Sequence, residues 1–222
     1  MATIRAVVYH ASGDIRVERV ALPACGPREL RVRVDACAVC GTDLKSWKSG
    51  NPRITPPRVM GHEFTGLIET VGREVRGFEV GQRVVMATSV SCGRCRYCQR
   101  GWRNLCVDLA CMGFAYDGGM AECVTIPARA IEQGHVVKVS GHVESRGAAL
   151  AEPVSCCVNA VDHCQIAPGD TVVVLGGGPL GIVNACVARH AGAGQIILSG
   201  RNPARLRRAE ALGFDRLVDP AR

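Results

Sequence analysis

Four cysteines crowd one polar loop. In CGRCRYCQRGWRNLC, Cys92, Cys95, Cys98 and Cys106 follow one another at short intervals among Arg, Gly and Asn. Four thiolates so spaced match the tetrahedral, all-sulfur shell of a structural zinc, and a shell closed by four protein ligands leaves no position for a substrate. An iron–sulfur cluster is the alternative for the same residues. Burial as small apolar side chains would suit a strand or helix better than this loop. A second set is more open. Cys40 in CAVCGTD, with His62 and Glu63 in VMGHEFTG, offers a thiolate, an imidazole and a carboxylate. Three protein ligands plus one free position is the arrangement of a catalytic zinc. Singly, each has a plain structural explanation: a core cysteine, and a polar pair opening a strand after Gly61. Beside the four-cysteine loop the combination is far more specific.

A third chemistry lies downstream. Gly176, Gly178 and Gly181, with Pro179 and Leu180 between the last two, make a G-x-G-x-x-G run directly after TVVVL and directly before a helical pattern. In that context the glycines give a tight turn, close approach of a pyrophosphate and close helix packing, so the run is a dinucleotide fingerprint. The next strand, IILSG, should end in the acidic residue that binds the ribose of NAD. It ends instead in Gly200, followed by Arg201 and then Arg205. A carboxylate would repel a 2′-phosphate, whereas glycine leaves room for one and arginine pairs with it in a two-pronged contact. This favours NADP(H) over NAD(H), with a solvated surface charge as the alternative for Arg201.

These residues need elements to position them. TIRAVVYH, DIRVERVAL, ELRVRVDACAVC, EFTGLIETVG and QRVVMATSV alternate or run apolar between Gly and Pro turns, which predicts many short strands in a closed or partly closed barrel. From Ala148 the texture changes to an apolar helical pattern, AALAEPVSCCVNAVDHC. Buried strand, glycine loop, helix and strand follow, then an amphipathic helix in PARLRRAEALG and a third strand in DRLVD. Buried strands alternating with helices mean a parallel α/β unit. The expected domains are 1–152, β-rich and metal-binding, and 153–222, the start of a dinucleotide-binding sheet.

Composition excludes other classes. Of the 222 residues, 47% are hydrophobic, enough for packed cores. The net charge of +7 is scattered apart from Arg205, Arg207 and Arg208, and only 4% of residues are aromatic, a poor footprint for nucleic acid. No segment reaches the roughly 18 to 20 apolar residues of a membrane helix, and MATIRAVVYH lacks the order of a secretory signal. Thirteen cysteines, an odd number, suit a reducing compartment, so a cytoplasmic protein is expected.

The pieces CGTD, GHEFTG, the four-cysteine loop, AEP and VLGGGPLG stand in an order that resembles the zinc-dependent medium-chain alcohol and polyol dehydrogenases, the group of sorbitol, threonine and butanediol dehydrogenases. The resemblance covers essentially the whole chain. It implies a GroES-like barrel carrying a catalytic zinc, followed by a Rossmann domain, and hydride transfer between a secondary alcohol or polyol and a nicotinamide dinucleotide. Cys40, His62 and Glu63 match the positions of the catalytic zinc in that group, and Cys92, Cys95, Cys98 and Cys106 those of a second, structural zinc. Glu152 of AEP matches a further carboxylate that binds the metal or holds its water. Thr42 matches a Ser/Thr whose hydroxyl, able to donate and accept, relays the alcohol proton, with a helix cap after CG as the alternative role. Quinone reductases of the same superfamily lack the ligands that Cys40, His62 and Glu63 supply here.

The sequence departs from that pattern in three places. Lys45 stands where many members carry a histidine, which implies another proton route or a contact with an anionic group on the substrate. Gln82 replaces an aspartate common in the turn before a strand. Members of the group continue past DRLVDPAR, so the chain is expected to be a C-terminally truncated form that binds zinc and the adenosine half of the cofactor without turnover. Activity, and a homo-oligomer, would then belong to a full-length form. A non-catalytic zinc-binding remnant is the competing function.

Overall fold

The structure is a computed structural model that describes residues 2–221; Met1 and Arg222, the outer ends of the two expected domains, lie outside them. The chain divides into two compact units, Met1–Glu152 and Pro153–Arg222.

Period-two patterning builds the first unit. β1 (Thr3–Ala11) pairs antiparallel with β2 (Asp14–Ala21), Val7 opposite Val17. β3 (Leu30–Ala38) buries Leu30 and Val32 and turns Arg31 outward to Glu69 at 2.7 Å. α1 (Gly41–Ser49) follows, then β4 (Arg58–Val59), which adds to the other edge of β1. β5 (Glu63–Val71) and β6 (Arg83–Met86) are followed by β7 (Ser89–Val90), the short helix α2 (Arg96–Gln99) and β8 (Ala110–Cys111). β9 (Cys123–Ile126), α3 (Ala128–Glu132), β10 (Val136–Lys138) and α4 (Ser145–Ala148) complete the unit. The sheets run β2-β1-β4 and β10-β6-β5-β3-β9, with β7-β8 as a small ladder of its own. An isolated bridge between Ala6 and Ala121 joins the two larger sheets. The result is a partly closed β-barrel, whose core is centred on Leu30, Val32, Ile68, Val124 and Ile126.

QRVVMATSV, expected as one strand, is two. The chain breaks at Ala87 and Thr88 because their backbone groups are taken elsewhere: the Ala87 N–H donates to the His135 carbonyl at 2.8 Å and the Thr88 carbonyl accepts from Met112 at 3.0 Å. Gln82 does make a turn contact, its Oε1 accepting from the Glu79 N–H at 3.1 Å.

α5 (Ala151–Cys164) carries Pro153 in its first turn, where the missing N–H costs nothing. The second unit then continues with β11 (Thr171–Leu175), α6 (Pro179–His190), β12 (Gln195–Ser199), α7 (Pro203–Glu210) and β13 (Arg216–Val218). The three strands are parallel, in the order β11-β12-β13. Ala185 and Ala188 of α6 are fully buried and cluster with Ile196, small side chains that let helix and sheet approach closely. β11 is an edge strand whose outer face shows Val173 and Leu175, 55% and 84% exposed. Among the described residues no helix is long and apolar enough to cross a membrane.

Candidate metal centres and nucleotide loop

Three elements deliver the open ligand set. β3 ends at Ala38, and Cys40 is the N-cap of α1, in extended conformation. Asp43, three residues into the helix turn, accepts the Cys40 N–H on Oδ2 at 2.9 Å, which satisfies one of the donors a helix start leaves free. Gly61 has φ 94°, and a Cβ there would stand 2.8 Å from Cys37 Sγ and 2.8 Å from the Met120 nitrogen. Only glycine makes this turn, and it delivers His62 and Glu63, the latter opening β5. Both are buried, at 8% and 6% exposure. The Cys40, His62 and Glu63 ligand atoms all lie within 4.8 Å of one another.

The surroundings of that set suit a cation. His62 Nδ1 is buried without a hydrogen-bond partner and faces Asp43 Oδ1 at 3.8 Å. A carboxylate behind an imidazole favours the proton on Nδ1 and leaves the Nε2 lone pair free to bind a metal. Burial pushes the Cys40 thiol upward against the opposing Thr42 N–H and hydroxyl, and the Glu63 carboxylate adds to the rise. Burial likewise raises Asp43, opposed by the Cys40 N–H and by His62. A metal ion is what makes a thiolate beside a carboxylate favourable in such a place. Thr42 is half-buried on the first turn of α1. Glu152 is half-buried on α5 and is not one of the three mutually close ligands.

The four cysteines also converge. Cys92, Cys95, Cys98 and Cys106 place their sulfurs within 4.8 Å of one another, with Cys95 to Cys98 at 3.5 Å and Cys92 to Cys98 at 3.9 Å. Cys95 caps α2, and the N–H of Cys98 ahead of others brings its thiol down to about 6. The Arg94 N–H lowers Cys92, while burial pushes Cys98 up to about 11. Cys95 therefore ionises most readily, and a metal would draw the proton from Cys98. Arg129 of α3 clamps both ends of this lobe. Its Nε donates to the Ser91 carbonyl at 2.9 Å, Nη1 to Asp108 Oδ2 at 3.1 Å, and Nη2 to the Asp108 carbonyl.

In the second unit, Gly176 takes φ 123° and Gly178 is the N-cap of α6, with Pro179 at its first position and Leu180 next. A Cβ on Gly181 would collide with the Gly176 carbonyl, so the helix start is pressed onto the loop, and the first N–H groups of a helix lack intrahelical partners. Gly200 has a packing reason of its own: a Cβ there would meet the Gly177 nitrogen at 3.0 Å and Leu206 at 3.2 Å. Arg201 is exposed. Arg205, whose N–H is capped by Asn202 Oδ1 at 3.1 Å, brings Nη1 to 3.4 Å from where a Gly178 Cβ would be, over the glycine loop.

Three residues around the first centre escaped the sequence reading: Asp43, Phe114 and Arg53. Asp43 had a signal, the N-cap-to-N3 spacing inside CGTD. Phe114, whose ring centroid lies 5.7 Å from that of His62, and Arg53, over the same ring at 5.3 Å, had none.

Residues 26–140 match the alcohol dehydrogenase GroES-like domain. The chain is 34% identical over 213 residues to L-threonine 3-dehydrogenase of Idiomarina loihiensis, covering 95% of this chain and 61% of that protein. It is 34% identical over 213 residues to sorbitol dehydrogenase of Halalkalibacterium halodurans, covering 95% and 60%. A Sinorhizobium meliloti structure, assigned as a zinc-binding dehydrogenase and bound to NADP, superposes with a TM-score of 0.92 at 38% identity, over 100% of this chain and 63% of the other. The chain thus spans about three fifths of the length of the curated relatives it matches.

Proposed function

This chain belongs to the zinc-type medium-chain alcohol and polyol dehydrogenases with a GroES-like domain, and on that premise we propose that it serves hydride transfer between a secondary alcohol or polyol and a nicotinamide dinucleotide. Residues 1–152 are the zinc-binding catalytic domain and 153–222 the dinucleotide-binding part. The observation that carries this is the convergence of Cys40, His62 and Glu63, a soft, a borderline and a hard donor, within 4.8 Å, with Cys40 half-buried and His62 and Glu63 buried.

Cys40, His62 and Glu63 would hold a catalytic zinc, with Glu152 as the further carboxylate. Bound there, zinc supplies a Lewis acid that acidifies a hydroxyl near neutral pH. Asp43 holds His62 in its metal-binding tautomer and fixes Cys40 through its backbone. Thr42 receives the hydroxyl proton and passes it on, its own hydroxyl donating and accepting at once. Cys92, Cys95, Cys98 and Cys106 would hold a structural zinc, and four protein ligands would leave that ion no part in the reaction. Gly176, Gly178 and Gly181, with Pro179 and Leu180, seat the pyrophosphate at the α6 N-terminus. Gly200, Arg201 and Arg205 favour NADP(H), and the position of Arg205 over the glycine loop supports a phosphate partner there.

The test is an assay of the full-length protein, zinc-loaded, with NADP⁺ and NAD⁺ against secondary alcohols and polyols. The expected result is cofactor reduction proportional to protein, faster with NADP⁺ and abolished by His62→Ala. No reduction with any alcohol while both zinc ions are present would contradict the proposal.

A further inference from the structure

Arg53 carries a charge that is fixed in place without a carboxylate. Its guanidinium lies over the Phe114 ring, 5.3 Å from the centroid, and Nη2 approaches Cys111 Sγ at 3.0 Å. Phe114 in turn packs against the His62 imidazole at 5.7 Å, so the cation stands two side-chain contacts from the metal ligands. Its backbone is held too. The Arg53 N–H donates to Asn51 Oδ1 at 3.0 Å, and the Asn51 amide donates to Ser46 Oγ at 3.2 Å on α1, the helix that Cys40 caps. Arg53 is exposed, and its side-chain partners among the described residues are a thiol and a ring.

The charge balance of the neighbouring centre gives this cation a use. One thiolate and one carboxylate formally neutralise a divalent ion, and Asp43 beside His62 and the further carboxylate proposed at Glu152 add negative charge, so the centre exerts no net pull on an anion. A neutral alcohol needs nothing more. An alcohol that also carries a negative group needs a cation on the wall of the site, and a planar guanidinium resting on an aromatic face presents its donor edge to a carboxylate or phosphate as a fork.

We propose that Arg53 is a specificity-determining residue that selects substrates bearing an anionic group, a carboxylate or a phosphate, on the same carbon chain as the reacting hydroxyl. This rests on the reading of Cys40, His62 and Glu63 as the centre where that hydroxyl binds. The test is a ligand-observed NMR titration of the zinc-loaded protein with three probes of one carbon skeleton, sorbitol, gluconate and sorbitol 6-phosphate, with zinc content measured on the same samples. At least one anion should bind about tenfold or more tightly than sorbitol, and whichever does so identifies the group. Arg53→Gln should bring that anion to the sorbitol level with sorbitol affinity and zinc content unchanged, while Arg53→Lys should keep part of the preference. Equal affinity for all three probes, no binding of either anion, or an anion preference that survives Arg53→Gln overturns the inference when zinc is in place. Zinc missing from the Cys40 centre overturns the underlying reading, and this one with it.

Discussion

Asp43→Asn is the most informative single change, because it alters two supports of the metal centre without altering size. In the native chain Asp43 Oδ2 accepts the Cys40 N–H at 2.9 Å and Oδ1 faces His62 Nδ1 at 3.8 Å. The amide can still accept the Cys40 N–H through its oxygen. Its NH₂ group must then face the imidazole, donor against donor, and the negative charge that favours the Nδ1–H tautomer is gone. Loss of such an outer partner of a metal ligand typically costs 10- to 100-fold in metal affinity, about 1.4 to 2.7 kcal/mol. Asp43 is 7% exposed, so solvent cannot replace it. Competition of the protein with a chromophoric zinc chelator reads both sites in one titration. One zinc should move to weaker binding by that factor, and the four-thiolate zinc should hold its affinity. Unchanged affinity at both sites would refute the tautomer argument, and weakening of both would show a general loss of fold instead.

Other perturbations give independent readings. Cys98→Ser should release one zinc and lower the thermal midpoint, since binding at such a site is folding free energy; metal analysis and a thermal melt check it. Arg129→Ala removes the clamp on Ser91 and Asp108 and should cost about 1 to 3 kcal/mol in chemical denaturation, whereas no change would mean the lobe is held by its metal alone. His135 is buried against Ser91 at 3.1 Å, and burial, with Arg103 and Arg129 nearby, lowers its pKa. The unfolded chain therefore binds a proton more readily than the fold, so this contribution is complete above about pH 6.5 and is lost as pH falls from there through the lowered folded value. Thermal midpoints across that window should fall less steeply in His135→Gln. Gly181→Ala should weaken binding of the proposed nicotinamide dinucleotide and cost about 1 to 3 kcal/mol, because the new methyl meets the Gly176 carbonyl; fluorescence titration with NADPH and NADH reads the first effect.

What the sequence made legible was whatever depends on local spacing. Alternation in LRVRV placed Leu30 and Val32 inside, and the glycine run after TVVVL marked the loop before α6. Cysteine spacing brought out the four-thiolate lobe, since its ligands sit within one stretch. The rest depends on chain segments that meet only in the fold. GTDLKSWKS carries no apolar stripe, so α1 left no periodic signal, and with it the reach of Asp43 to His62 stayed hidden. β4, β7 and β8 have 2 residues each, too few for any period. Arg53 and Phe114 meet across two loops. Gly200 carried the expectation of space for a phosphate, while its close approach to Gly177 was not legible, because it depends on how β12 and the glycine loop lie side by side.

Zinc stoichiometry in three forms of the protein tests the central claim most directly. Wild type should carry two zinc ions per chain, while His62→Ala and Cys98→Ser should each carry one, with the lost ion differing in its resistance to a chelator. Equal zinc content in all three forms, or none in freshly purified wild type, would contradict the assignment of Cys40, His62 and Glu63 as one metal centre and the four cysteines as another.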